Sequence, residues 1–167
     1  SLKNEFEAVD FAMNYTSPFV KDVLKKYEKF DEIVLLPLYP HHSQTTITSS
    51  LADFKKAKEE LNFKAKISLC EPFYDDDAYN KIIISHIQGS VKDIDISDIS
   101  LIFSAHSLPR KIIEKGDIYE KHINEHVQIL GKMLKEQGLN FKDMSLAYQS
   151  RLGPVKWLEP SLNEALA

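Results

Sequence analysis

The sequence predicts an α/β fold with a doubly wound, mainly parallel sheet. Two observations indicate this class: four short apolar runs have the composition of buried strands, and amphipathic segments with helical spacing separate them. Strands that alternate with helices of about ten or more residues are joined by right-handed crossovers, which cover both faces of a parallel sheet. We therefore expect one three-layer sheet of about four strands.

The first predicted helix follows Ser17-Pro18, an N-cap residue followed by proline at the first helical position. Its apolar stripe has the helical spacing of three and four residues and comprises Val20, Val23, Leu24, Tyr27 and Phe30. The compact apolar run at residues 33–36 is closed by Pro37 and predicts the first strand, buried on both faces.

A second helix and a second strand follow a loop that is rich in His, Ser and Thr. The helix is expected to end at Asn62, a residue type common at helix C-termini, and its stripe comprises Leu51, Phe54, Ala57 and Leu61. Residues 66–70 predict the second strand.

The second half of the chain repeats this alternation. Three aspartates at residues 75–77 are expected to cap a third helix, and its apolar face predicts that His86 is a core residue. That face comprises Tyr79, Ile82, Ile83, His86 and Ile87. Residues 99–103 and 144–148 predict the remaining strands, and the segment from about Tyr119 to Gln137 predicts the long helix between them.

Composition excludes several classes of function. With 167 residues and 43% hydrophobic content, the chain can bury one sizeable core but is short for two complete domains. The net charge is -4 and the basic residues are scattered, so we expect no nucleic-acid partner. No apolar run approaches the roughly 20 residues that cross a bilayer, so we expect no transmembrane segment. The single cysteine, Cys70, cannot form an internal disulfide, which favours a reducing, cytoplasmic location.

The candidate catalytic residue is His106. Ligands of parallel α/β folds bind beyond the carboxyl ends of the strands, and the third predicted strand runs directly into residues 104–109. This order places the imidazole of His106 at the ligand-binding edge, which we expect it to share with Ser43 and Ser150. A histidine that only packs or hydrogen bonds is the alternative.

Residues 104–109 are Ser-Ala-His-Ser-Leu-Pro, and residues 116–119 are Gly-Asp-Ile-Tyr. Together with three further segments they resemble the ferrochelatase family in residue type, order and spacing, being similar to its Ser-Ala-His-x-Leu-Pro and Gly-Asp-Pro-Tyr. Residues 148–154, followed by Trp157-Leu158, resemble its Gln-Ser-Lys/Arg-x-Gly-Pro and Trp-Leu segment, and residues 39–43 resemble its Tyr-Pro-x-x-Ser loop. The chain differs at Ile118, where proline is usual, and Asn14 stands in an Ala-Met-x-Tyr stretch where arginine is usual.

The resemblance implies an enzyme, a lyase that inserts Fe²⁺ into protoporphyrin IX to form haem. Family members resemble two similar α/β lobes with the porphyrin cleft between them. On this basis residues 1–62 are a remnant of the first lobe with its crossover, and residues 63–167 are a second chelatase-like lobe that is truncated at its C-terminus. The chain has no initiator Met and is expected to be an inactive fragment of a longer protein. Self-association is expected through exposed apolar residues of the remnant, among them Phe19, Val20 and Tyr27.

The resemblance also suggests roles for individual residues. His106 would bind iron or accept a pyrrole proton, because a neutral imidazole can do either. Flat aromatic surface suits a flat macrocycle, so Tyr119 and Trp157 would line the porphyrin face. Polar contacts to substrate would come from Gln149, Ser150 and Arg151, and the loop residues His41 and Ser43 would guide iron. Packing residues, a turn with a solvated arginine and an inert surface loop are the respective alternatives. Iron is expected as a substrate metal, with no tightly bound cofactor.

Other interpretations of the sequence stay open. Coproporphyrin is an alternative substrate, and a non-catalytic porphyrin- or metal-binding module or a cobalt-chelatase relative are alternative functions. Residues 122–126 also fit the pattern His-x-x-Glu-His of zinc peptidases, with both imidazoles on one helix face. A half-buried histidine pair without metal is the simpler expectation there.

Overall fold

The computed structural model describes residues 4–167, which form six α-helices and four strands. In chain order these are α1 (Val20–Leu24), β1 (Glu32–Leu35), α2 (Ser49–Glu60), β2 (Lys66–Leu69), α3 (Asp77–Ser90), β3 (Ser100–His106), α4 (Arg110–Glu114), α5 (Tyr119–Glu136), β4 (Asp143–Gln149) and α6 (Leu162–Ala165). A 3-10 turn at Lys25–Tyr27 extends α1, and a π-helical turn at Gln44–Thr48 precedes α2. No helix in this part of the chain is long and apolar enough to span a membrane.

The described chain divides into two compact units. The first contains the described residues up to Tyr39 together with Gln44–Glu71, and the second contains Pro40–Ser43 and Pro72–Ala167. These units divide the chain at other positions than the predicted lobes 1–62 and 63–167, because β2 pairs with β1 and therefore belongs to the first unit.

The first unit is built around the parallel pair β1 and β2. Ile33 lies opposite Ile67 in the ladder, and both pack against a core formed by α1, α2 and the segment after α2. The buried residues of that core are Val20, Leu24, Phe54, Ala57, Phe63 and Ala65. Side chains alternate along β1, so Val34 projects away from this core and is 44% exposed.

The second unit is built around the parallel pair β3 and β4, whose register runs from Ser100 opposite Asp143 to His106 opposite Gln149. Two clusters of buried side chains pack on this pair. One comprises Ile84, Leu130, Leu134 and Phe141, and the other comprises Leu108, Ile123, Tyr148 and Leu158. The second cluster lies where β3 and β4 end, so it supports the loops that follow both strands.

The α/β class and the parallel pairing are confirmed, but the expected single sheet of about four strands is wrong. The described strands form two separate two-stranded sheets, because β1 hydrogen bonds with β2 and β3 with β4. Each strand–helix–strand segment closes its pairing within its own unit.

Helix starts were predicted with mixed success. Asp76 caps α3 by accepting a 2.7 Å hydrogen bond from the backbone N–H of Tyr79, as expected from the aspartate run. The prediction for Ser17 is wrong, since α1 has Phe19 at its N-cap without a side-chain cap. On α3 the buried residues are Asn80 and Ile84, whereas His86 is exposed, which corrects its prediction as a core residue.

Candidate functional site

His106 is the last residue of β3, and its side chain is exposed. Its backbone is held from two sides. The hydroxyl of Tyr119 donates a 3.0 Å hydrogen bond to the His106 carbonyl, and the next residue, Ser107, donates its N–H to the Gln149 carbonyl at 2.8 Å. The main chain at His106 is therefore fixed while the imidazole is accessible.

Asp117 connects Tyr119 to Ser43. One oxygen of the Asp117 carboxylate accepts a 2.9 Å hydrogen bond from the backbone N–H of Tyr119 at the start of α5. The other accepts a 2.9 Å hydrogen bond from the hydroxyl of Ser43. Both Ser43 and Asp117 are buried. Asp117 lies in the Gly-Asp-Ile-Tyr motif but was given no role from the sequence; its signal was the position two residues before the start of α5, where a short acidic side chain reaches backbone N–H groups.

His41 also belongs to this cluster. Its Nε2 lies 2.9 Å from Nδ1 of His126, and its ring lies edge-on to the ring of Tyr119 with centroids 6.1 Å apart. Burial, followed by the charges of His126 and His122, lowers the pKa of His41 to about 4. His41 is therefore neutral near pH 7.

The histidines of α5 have protein partners rather than a metal-binding geometry. Both ring nitrogens of His126 are engaged, Nδ1 with His41 and Nε2 with Oδ1 of Asn80 at 2.7 Å. Nδ1 of His122 accepts a 3.2 Å hydrogen bond from the backbone N–H of His42. No group of three or more His, Cys, Asp or Glu side chains in residues 4–167 could hold a metal ion. The zinc-peptidase interpretation of residues 122–126 is therefore wrong.

Tyr74 closes the same cluster. Its ring stacks on that of His41 with centroids 5.6 Å apart, and its hydroxyl donates a 2.6 Å hydrogen bond to the Glu125 carboxylate. That hydrogen bond, followed by burial, raises the pKa of Tyr74 to about 12. Sequence reasoning missed Tyr74, Asn80 and His126 as members of a polar cluster, although the spacing of His122 and His126 indicated a shared helix face.

The residues that follow β4 have different environments. Gln149 ends the strand and is exposed, and Ser150 is exposed with a positive φ of 67°. The guanidinium of Arg151 donates a 2.6 Å hydrogen bond to the Leu158 carbonyl and lies 3.7 Å from the Glu164 carboxylate. Arg151 thus holds the segment at Leu158 in place. It is not the solvated arginine of the alternative interpretation.

Trp157 lies beside the segment that follows His106. Its backbone forms an antiparallel bridge with Pro109, and the N–H of the adjacent Leu158 donates to the Leu108 carbonyl at 3.0 Å. The indole is partly buried, and within residues 4–167 its Nε1–H has no hydrogen-bond partner. Ser107 is fully buried, and its hydroxyl likewise has no hydrogen-bond partner among the described residues. Buried polar groups are normally paired, so two such groups beside the His106 segment are unusual.

Direct contacts therefore connect most of the predicted site residues. Ser43 reaches Asp117, Asp117 reaches Tyr119, and Tyr119 reaches both His106 and His41. Gln149 joins through the β3–β4 ladder, Ser150 follows it, and Trp157 joins through its bridge to Pro109. The roles of these residues toward a substrate stay predictions.

Comparison with known proteins identifies related chains. The ferrochelatase family model matches residues 2–167. The ferrochelatase of Campylobacter concisus (strain 13826) is 92% identical over 167 residues, which is 100% of this chain and 53% of that protein. The ferrochelatase of Campylobacter fetus subsp. fetus (strain 82-40) is 57% identical over 98% of this chain and 52% of its own length. The ferrochelatase of a Nitratiruptor species is 46% identical over 93% of this chain and 50% of its own length. The chain spans about half the length of these curated relatives.

Proposed function

Because the chain belongs to the ferrochelatase family, we propose that the protein containing it is a lyase that inserts Fe²⁺ into protoporphyrin IX to form haem. The observation that supports this most directly is the environment of His106. Its main chain is held by Tyr119 and by β4, and its imidazole is exposed at the carboxyl end of a parallel strand. Substrates of such folds bind at that edge.

The chemistry of metal insertion fits an imidazole in this position. Two pyrrole N–H protons must leave the porphyrin, and the iron must lose bound water. A neutral imidazole can accept a proton or replace a water ligand on a borderline-soft metal ion. We assign this step to His106.

Tyr119 is proposed to present an uncharged aromatic surface to the porphyrin. Burial raises its pKa to about 12, so the phenol keeps its proton near pH 7 and adds no negative charge beside the incoming iron. Trp157 offers a second aromatic surface beside the His106 segment, which suits a flat macrocycle.

The polar residues divide into two roles. Gln149 lies opposite His106 in the ladder and Ser150 follows it, and both are exposed, so we propose that they contact the porphyrin periphery. Ser43 is buried against Asp117, and Arg151 is engaged with the Leu158 carbonyl. For these two we therefore propose that they position the loops of the site instead of contacting substrate.

Porphyrin fluorescence tests the proposed reaction in the full protein that contains this chain. Fe²⁺ would be added anaerobically to protoporphyrin IX and, in parallel, to coproporphyrin, since the sequence does not decide between them. We expect metal-dependent loss of fluorescence with protoporphyrin IX, and a loss of about 10²–10⁴-fold in rate for His106→Ala. His86→Ala, which changes an exposed histidine of α3, is the control. Porphyrin binding without turnover by the unchanged protein would contradict the proposed reaction and favour a binding module.

We also propose that the 167-residue chain alone is inactive, because it spans about half the length of its relatives. A cleft that depends on more of the protein for burial would lose contact area with the ligand. The same assay on the chain and on the full protein measures this difference. Equal rates would overturn the proposal.

A further inference from the structure

A chain of hydrogen bonds leads from the backbone to His41. The Asn80 side-chain nitrogen donates a 2.9 Å hydrogen bond to the Tyr74 carbonyl, the Asn80 oxygen lies 2.7 Å from Nε2 of His126, and Nδ1 of His126 lies 2.9 Å from Nε2 of His41. Asn80 is 1% exposed and His126 is 7% exposed. All four residues are in the second unit.

The Tyr74 carbonyl sets the direction of every bond in this chain. A carbonyl can only accept, so the Asn80 amide must turn its NH₂ group toward Tyr74 and its oxygen toward His126. An amide oxygen can also only accept, so Nε2 of His126 must carry hydrogen. Rotating the Asn80 amide by 180° would place its oxygen against the Tyr74 carbonyl, so that two acceptors would face each other.

The direction then passes to His41. In a neutral imidazole with hydrogen on Nε2, Nδ1 is a lone pair, so Nδ1 of His126 accepts and Nε2 of His41 donates. His126 is 7% exposed and its ring nitrogens contact His41 and Asn80, neither of which is an anion, so the buried ring is favoured in its neutral form. His41 is thereby held with hydrogen on Nε2 and a lone pair on Nδ1.

Nδ1 of His41 accepts no hydrogen bond from residues 4–167. It is also not one of the buried polar atoms that lack a partner, so its lone pair is accessible. The ring of His41 packs edge-on against Tyr119, whose hydroxyl binds the His106 carbonyl. The free lone pair is thus carried by a ring that contacts the proposed active site.

We propose that His126 and Asn80 are positioning residues that hold His41 as its Nε2–H tautomer, so that the Nδ1 lone pair of His41 contacts ferrous iron before insertion. This inference rests on the proposed function. Metal-binding histidines generally donate their other ring N–H to a fixed partner, and loss of such partners costs about 10–100-fold in metal affinity or activity. Here the partner is a second imidazole, oriented in turn by a buried amide.

The tautomer can be measured without iron or porphyrin by nitrogen NMR of the full protein labelled with ¹⁵N-histidine. We expect a single tautomer for His41, with hydrogen on Nε2. The variant Asn80→Leu removes the acceptor that orients His126, so His41 should then populate both tautomers. Asn140→Leu is the matched control, because Asn140 also donates to a backbone carbonyl, that of Gly138, but is exposed and contacts no histidine.

The variant His126→Gln provides a second measurement should Asn80→Leu fail to fold, since a glutamine amide can either donate to His41 or accept from it. If the spectrum of the protein without substitutions shows hydrogen on Nδ1 of His41, the inference is overturned directly. A single unaltered tautomer in both variants would overturn it as well.

Kinetics test the role toward iron. We expect the variants with mixed tautomers to lose about 10–100-fold in kcat/KM for Fe²⁺, with an unchanged KM for porphyrin, relative to Asn140→Leu. Mixed tautomers with iron kinetics equal to the control would overturn the iron contact. If the unchanged protein shows the expected tautomer but forms no haem, the proposed function fails and the tautomer assignment stands.

Discussion

The hydroxyl of Ser43 donates a 2.9 Å hydrogen bond to the Asp117 carboxylate, and the two side chains are 1% and 6% exposed. The other oxygen of the same carboxylate accepts the backbone N–H of Tyr119. A single buried anion therefore fixes the segment around Ser43 and the first residue of α5, and through Tyr119 it supports the main chain at His106.

Replacing Ser43 by alanine should destabilise the protein by about 1–3 kcal/mol, because a buried carboxylate loses a donor and stays desolvated. Urea unfolding of the full protein measures the change. Ser90→Ala is the control, since Ser90 is an exposed residue whose hydroxyl donates only to the His86 carbonyl within α3. Equal unfolding free energies for the two variants would show that the Ser43 contact does not stabilise the fold.

Asp76→Ala should destabilise α3 by about 0.5–2 kcal/mol, because the backbone N–H of Tyr79 loses the cap that now accepts it at 2.7 Å. Asp76→Ser is the matched variant and should retain most of the stability, since a serine hydroxyl caps equally well. Thermal unfolding of both variants decides the matter. A serine variant as unstable as the alanine variant would mean that charge, rather than capping, is lost.

Acid should destabilise the protein through His41. The pKa of His41 is about 4 in the folded protein against an ordinary value of 6.5, so between these pH values the unfolded state binds a proton that the folded state does not. The contribution of His41 to the free energy of unfolding is fully present above pH 6.5. It is lost as the pH falls toward 4, and the loss is about 1–3 kcal/mol.

Urea unfolding at a series of pH values measures this loss, and comparison of two variants isolates it from titrating carboxylates. His41→Gln should show a shallower loss of stability below pH 6.5 than His86→Gln, which alters an exposed histidine. Parallel curves for the two variants would exclude His41 as the titrating group.

Local elements could be predicted from the sequence to a large extent, because periodicity and capping are local properties. The four strands and the α5 boundary at Tyr119 follow from apolar runs and spacing, and Asp76 follows from its position before an apolar stripe. Strand pairing could not be predicted in the same way. Whether β2 pairs with β1 or with β3 depends on contacts distant in sequence, and an apolar run does not specify its neighbour.

The polar cluster escaped prediction for a different reason. Hydropathy places Asn80 at the surface, His126 half-buried and Ile82 in the core, yet Asn80 and His126 are buried and Ile82 is 58% exposed. Burial of these polar residues is possible because they hydrogen bond to each other. They lie on different helices and are 46 residues apart in sequence. The His106 site itself could be predicted because its position after a strand carries information, whereas a partner on another helix does not.

The chain alone should self-associate through its first unit. Most of the large apolar side chains that are strongly exposed in residues 4–167 lie there, and they comprise Phe6, Val9, Phe11, Met13, Tyr15, Phe19, Val34, Leu36, Leu38, Tyr39 and Leu69. Val20 and Tyr27, which were expected among the exposed residues, instead join the core of this unit. Monomeric proteins rarely expose apolar surface in such density, and a two-stranded sheet also has open edges.

A second copy of the chain is the simplest partner for this surface in a purified sample. Sedimentation velocity at several concentrations should show a concentration-dependent oligomer, and Leu38→Lys should shift it toward monomer, because Leu38 is 76% exposed and a lysine there cannot be buried without cost. Leu166→Lys is the matched control, since Leu166 is 69% exposed but lies in the second unit. We expect this control to associate like the unchanged chain. A monomer at every concentration, or an equal effect of both substitutions, would show that the first unit does not carry the contact.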